Sequence, residues 1–286
     1  MRDRTRAKFP SWCEDTQNYD LLLSDDVDSL MCYIYQREIF GREVKYFLDV
    51  NYKKVSRDSF GIQRMYITEG ATENKDNILG LDVALENYKC WDNHITKLNQ
   101  EDDYNKYSAN LNVIQNINKE NYTKKYVVSS FITMLSYYNV DIKKWSDEQL
   151  FVLCAIDGLY IPFENDKFRY VASNNLYDLD YSFLGRFISD NLEKIKEIEK
   201  SLNLKKGKIK VNTDGQLVTD IDLERLSEIF NMDISLPKGK FITLRDYQSA
   251  IVDVSNIDKK SYFDIPTGIF NLVLPYRNSM IISTMI

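Results

Sequence analysis

Leu21-Leu22-Leu23-Ser24-Asp25-Asp26-Val27-Asp28, residues 21–28, is a short apolar run that ends on three carboxylates. The same design returns at Ile78-Leu79-Gly80-Leu81-Asp82. It returns again where Tyr88-Lys89-Cys90 leads into Trp91-Asp92-Asn93-His94, which holds the only histidine of the 286 residues. Short apolar runs bounded by turn residues read as buried strands. In open α/β sheets, the residues just beyond the carboxyl ends of parallel strands line the ligand crevice. Clustered carboxylates repel one another and raise each other's pKa, so they are tolerated mainly beside a neutralising cation. Metal chemistry is therefore the first expectation.

Around these runs the pattern alternates. A helix is expected over 27–40, with Leu30, Tyr33 and Ile34 at helical spacing, and strands over 44–50 and 64–67 follow. Strands alternating with helices predict an α/β fold, a doubly wound and mainly parallel sheet. Further helices are expected over 124–138, over 147–156 with Ser146 as cap, and over 183–204, where charge interleaves with isoleucine as in a solvated amphipathic connector. The chain is accordingly divided into a domain over 1–182, a helical connector over 183–208 ending in Lys205-Lys206-Gly207-Lys208, and a smaller α+β substrate or cap domain over 209–286. In that last part, strands are expected near 209–211, 240–244, 250–254 and 269–274, with a helix over 220–230.

A net charge of −6 argues against a general polyanion binder, which carries an extended basic field, and leaves room only for a local basic groove. No apolar run approaches the roughly 18–20 residues of a membrane helix. The charged start Met1–Arg6 is followed by no apolar segment, so no secretory signal is expected. Cys13, Cys32, Cys90 and Cys154 lack metal-finger spacing and read as free thiols in a reducing cytoplasm. A single histidine excludes a site of several imidazoles, so any metal has mostly oxygen ligands, which favours manganese or magnesium.

The candidate ligands are Asp26, Asp28, Asp82 and Asp157, the last ending Ala155-Ile156-Asp157-Gly158, where a helix C-terminus disfavours a lone carboxylate. Asp28 before Ser29-Leu30 also suits helix capping. The order strand–Asp-x-Asp, strand–Asp, strand–Asp-x-His and helix–Asp resembles the DHH phosphoesterase superfamily over about residues 19–160. The resemblance implies two Mn²⁺ or Mg²⁺ ions bridged by Asp82. Asp26, Asp28, Asp157 and Asn93 would complete their shells, His94 would bind or protonate a phosphate oxygen, and Asp92 would orient it. Asn93 stands where the family has the first histidine of its third motif. No histidine precedes the first aspartates, and 209–286 contains none.

Asn110, Asn112, Lys124 with its neighbour Lys125, and Arg277 are the candidate substrate contacts, offering amide donors and positive charge to phosphates. Tyrosines and phenylalanines offer stacking platforms, although such numbers more often fill a core. The leading expectation is a cytoplasmic divalent-metal phosphoesterase acting on a nucleotide or short single-stranded oligonucleotide, with a homodimer allowed. The alternative is a catalytically inactive DHH-like domain that binds a nucleotide or a protein partner. A haloacid-dehalogenase-like phosphatase fits Asp26-Val27-Asp28 but lacks a suitable later acidic motif.

Overall fold

The computed structural model describes residues 1–50, 61–255 and 268–286. The strands among the described residues are β1 (Asp20–Leu23), β2 (Val44–Asp49), β3 (Gly61–Thr68), β4 (Ile78–Leu81), β5 (Lys89–Trp91), β6 (Ser108–Ala109), β7 (Ile209–Val211), β8 (Leu217–Thr219), β9 (Phe241–Asp253), β10 (Ile269–Tyr276) and β11 (Ser279–Met285). Its helices are α1 (Asp3–Arg6), α2 (Val27–Phe40), α3 (Leu111–Ile114), α4 (Ser130–Tyr137), α5 (Asp147–Ala155), α6 (Asp166–Asp178), α7 (Phe183–Ser201) and α8 (Leu223–Phe230). Nine strands form one sheet in the order β10-β11-β9-β3-β2-β1-β4-β5-β6, while β7 and β8 pair apart. The fold is α/β, and the large sheet is mixed. Strands β2, β1, β4, β5 and β6 run parallel. The remaining pairings, from β2 through β3, β9 and β11 to β10, are antiparallel.

Two expectations are corrected here. The strands of 209–286 do not build a separate smaller domain: β9, β10 and β11 extend the main sheet through β3. Their register with β3 joins residues far apart in sequence, a pairing that periodicity does not report. Nor, among the described residues, do helices cover both faces. One face packs against α2, α4, α5 and α7 in a large core. The other is filled by strand and loop residues, among them Leu22, Tyr46, Leu48, Cys90, Tyr247 and Phe270. The sheet therefore curls on itself, and the antiparallel strands take the place of a second helical layer.

The curl is fastened at the turn after β4. Glu86 N–H donates to the carbonyl of Phe270 at 2.9 Å, Asn271 Nδ2 to that of Ala84 at 2.9 Å, and Leu274 N–H to that of Ile95 at 2.8 Å. Strand β10 is thus held over the ends of β4 and β5, walling one side of the carboxylate edge. Local signals explain the helix ends. Asp26 caps α2, with its side chain accepting from Ser29 N–H, and Gly41 closes it at φ 63°. Ser146 and Gln149 form a reciprocal capping box on α5.

Gly80 lies in β4 where a Cβ would sit 2.8 Å from both Val83 Cγ1 and Leu85 Cδ1. A side chain there would push the turn off the sheet. Gly80→Val is expected to destabilise the protein by about 1–3 kcal/mol, read as a lower urea midpoint at unchanged m-value; an unchanged midpoint would show that the turn is loosely packed.

Candidate metal centre

Three neighbouring parallel strands end level with one another. Leu23 pairs with Leu81, and Leu81 with Trp91, so the next residues, Ser24, Asp82 and Asp92, emerge side by side at the carboxyl edge. Asp82 turns at once into the left-handed region, φ 50°. Aspartate tolerates this conformation better than most residues, and strained backbone of this kind gathers at functional sites.

Two groups of possible ligands share Asp82. One is Asp28, Asp82 and Asp157; the other is Asp82, Asp92 and His94, and within each group one ligand atom per residue lies within 4.8 Å of the others. Asp28 comes from the first turn of α2, fully buried, and its two oxygens accept the backbone N–H groups of Ser130 (2.7 Å) and Phe131 (2.9 Å). These are unsatisfied donors at the start of α4, where the helix dipole favours an anion. Asp28 does not cap its own helix, which Asp26 does; it receives the first amides of α4 instead, and each of its oxygens keeps a further lone pair. Ser130 Oγ donates to Asp82 Oδ1 at 2.8 Å.

Asp157 follows α5 at φ 54°, and Gly158 continues at φ 64°. Any Cβ on Gly158 would lie 2.5 Å from Ile161 Cδ1. Asn93 Nδ2 donates to Asp157 Oδ2 at 2.5 Å, which places Asn93 at the cluster as a hydrogen-bond partner of a ligand. Asp26 stands beside the other three, and its charge is among those that raise the carboxyls of Asp28, Asp82 and Asp157. Burial raises Asp28 and Asp82 well above the usual range, with neighbouring carboxylates adding to it. Asp157 is more open, yet desolvation and Asp26 push its carboxyl up too, against Asn93, His94 and Lys125.

Asp92, almost fully buried, has both oxygens engaged: Oδ1 lies 2.7 Å from His94 Nδ1 and Oδ2 accepts Asn110 Nδ2 at 2.6 Å. This leaves Nε2 of His94 as the ring nitrogen free of Asp92. Desolvation would lower the imidazolium pKa, but Asp92, with help from Asp82 and Asp157, holds it up at about 9.

The expected substrate contacts are largely corrected. Asn110 and Asn112 are fully buried with their amides spent inside the protein. Asn110 donates to Asp92 and to the His94 carbonyl and caps α3; Asn112 donates to the carbonyl oxygens of Asn93 and Tyr126 and accepts from Tyr126 N–H. They fix the loop that carries Asp92 and His94, and neither can meet a substrate. Lys124 is exposed in the turn Tyr122–Lys124, whereas its neighbour Lys125 lines a cleft beside Asn93, His94 and Asp157. Arg277 is exposed in the turn between β10 and β11, outside the clefts at the cluster.

Residues not singled out from the sequence complete the site. Lys208 Nζ lies 2.9 Å from Asp25 Oδ1 and 3.5 Å from Asp26 Oδ2, and Ile209 N–H donates to the Asp25 carbonyl. Burial raises the Asp25 carboxyl to about 6 even though Lys208 opposes it. A cleft of about 780 Å³ opens over Asp26, Asp82 and His94, and Lys206, Lys208 and Lys210 form one wall. The signal for Lys208 was present in Lys205-Lys206-Gly207-Lys208, but its partners lie 183 and 182 residues earlier.

No protein-family model matches this chain, and no curated protein or solved structure matches it.

Acids raised above their ordinary pKa bind more protons in the folded than in the unfolded state, so ionising them weakens the fold. For Asp25 the loss begins near 3.8 and runs to about 6; it is on the order of 2 kcal/mol, and the three cluster acids add in the same direction. Metal-free protein is therefore expected to melt at a lower temperature at pH 7 than at pH 5, with millimolar Mn²⁺ removing the difference at pH 7. Equal melting temperatures without metal would show that the cluster carries no such charge strain.

Proposed function

We propose that this chain is a divalent-metal-dependent phosphoesterase that hydrolyses the phosphodiester of a nucleotide or short oligonucleotide. The observation that carries the reading is the membership of Asp82 in both groups of possible ligands. A carboxylate so placed suits a bridge between two cations, and a mostly oxygen donor set suits Mn²⁺ or Mg²⁺. The pattern of the DHH phosphoesterase superfamily, quoted above from the sequence, gives the same ligand order. Asp26, Asp28, Asp82, Asp157 and His94 are the residues that would hold the ions, with Asn93 orienting Asp157.

When bound, such a pair supplies a water of lowered pKa and neutralises phosphoryl charge during in-line displacement. The chain's own groups do the rest. Asp92 fixes the His94 ring through Nδ1, which leaves Nε2 as the nitrogen that would face an ion at Asp82. Ser130 Oγ and the amides at the start of α4 hold Asp82 and Asp28 in place before any ligand arrives. The lysine wall draws an anionic substrate into a site whose floor is acidic.

The second reading, an inactive domain that binds a nucleotide or protein partner, is favoured by Asn93, which stands at Asp157 as an amide where an imidazole would ligate. The two readings are separable. Asp82→Asn is expected to weaken Mn²⁺ binding at least about a hundredfold by calorimetry and to abolish hydrolysis of a bis(nitrophenyl) phosphate, with the fold retained. Native protein that binds Mn²⁺ through Asp82 yet hydrolyses no phosphodiester would establish the inactive reading.

Asn93→His sets an imidazole beside Asp157. Tighter Mn²⁺ binding, by about tenfold, is the expected result; an unchanged affinity at the same pH would confine residue 93 to hydrogen bonding.

A further inference from the structure

A second cleft meets the carboxylate cluster from the other side. It is about 390 Å³ and runs between Asn93–Ile95, Lys125–Val127, Asp157–Gly158, Ile161–Pro162 and Leu274–Pro275. It shares His94 and Pro275 with the larger cleft that Lys206, Lys208 and Lys210 line, so the two open to either side of the histidine. The cations in them differ. Lys208 is spent on Asp25 and Asp26. Lys125 is only partly exposed, and among the described residues its ammonium makes neither a hydrogen bond nor an ion pair. It lies 5.7 Å from the centroid of the Tyr122 ring, and beyond ion-pair distance it feels the Asp157 carboxylate. A partly desolvated ammonium without an acceptor is costly, and an anion entering the cleft would relieve that cost.

The ring content of the clefts is as informative. Among the described residues, His94 supplies the one aromatic ring of the larger cleft, which no tyrosine, phenylalanine or tryptophan lines. The smaller has only Tyr126, which is buried with its hydroxyl bound to Asp178. Among the described residues, the two clefts therefore offer a base no open tyrosine, phenylalanine or tryptophan face on which to stack.

We infer that the Lys125 cleft is an anion subsite that takes the phosphate next to the one held at the carboxylate cluster, so that the ligand is gripped through consecutive backbone phosphates and not through its bases. The inference rests on the phosphoesterase reading for the occupant of the cluster, but Lys125 itself is not among the proposed metal-holding residues. Recognition of this kind is indifferent to base sequence and favours a ligand with two phosphates over one.

The test compares Mn²⁺-loaded native protein with Lys125→Met and Lys125→Arg by calorimetry. The probes are thymidine 5′-monophosphate and a 5′-phosphorylated thymidine dinucleotide whose linkage is a phosphorothioate to slow cleavage. Mn²⁺ affinity is measured separately for all three proteins. Lys125→Met is expected to weaken the dinucleotide about tenfold while leaving the monophosphate within about twofold, and Lys125→Arg to restore the dinucleotide. Equal losses for both probes, or no loss for either, would overturn the subsite. Failure of native protein to bind Mn²⁺ would sink the phosphoesterase reading instead, and the Lys125 dependence would still be scored from the same titrations.

Discussion

Mutual repulsion among buried carboxylates is the constraint on which the rest of this structure depends. Strands β1, β4 and β5 end level, and helices α2 and α5 deliver Asp28 and Asp157 to the same place. Like charges so close in a low dielectric are tolerated only with compensation. Each compensating device can be named. The first amides of α4 point at Asp28, Ser130 Oγ reaches Asp82, Asn93 holds Asp157, and Lys208 covers Asp25 and Asp26. Together they orient the carboxylates without discharging all of them, and their pKa values remain raised. Incomplete neutralisation of this kind is what the proposed cation site would require.

The sheet serves this site in two ways. Its parallel strands present the acids at one edge, as expected of α/β sheets. Its antiparallel strands curl back, so that β10 closes over the loop after β4 and the histidine segment after β5. Residues of β10 line both clefts beside His94, and the lysines at β7 line the larger of them. No helix among the described residues is long and apolar enough to cross a membrane.

Legibility in the sequence followed the range of the interaction. Helix α2 was readable because Asp26 and Gly41 mark its ends locally, and α5 because Ser146 and Gln149 do. The expected start of α4 at 124 was too early: a single turn over Tyr122–Lys124 is followed by irregular chain until Ser129 caps the helix. Helix α6 gave little pattern, with only Ala172, Asn175 and Leu176 buried along its length. The four aspartates and His94 were visible as acids and an imidazole ending apolar runs. The role of Asn110 and Asn112 was not, because a buried amide that satisfies backbone groups has the same local sequence as one that meets a ligand. Long-range pairings such as Lys208 with Asp25, or β3 with β9, leave no periodic trace.

Anomalous scattering from crystals soaked in manganese tests the central claim most directly. The account predicts two peaks per chain, separated by about 4 Å, with Asp82 between them and Asp28, Asp157 and His94 around them. No peak at these residues, or a single ion that leaves Asp82 unligated, would contradict it.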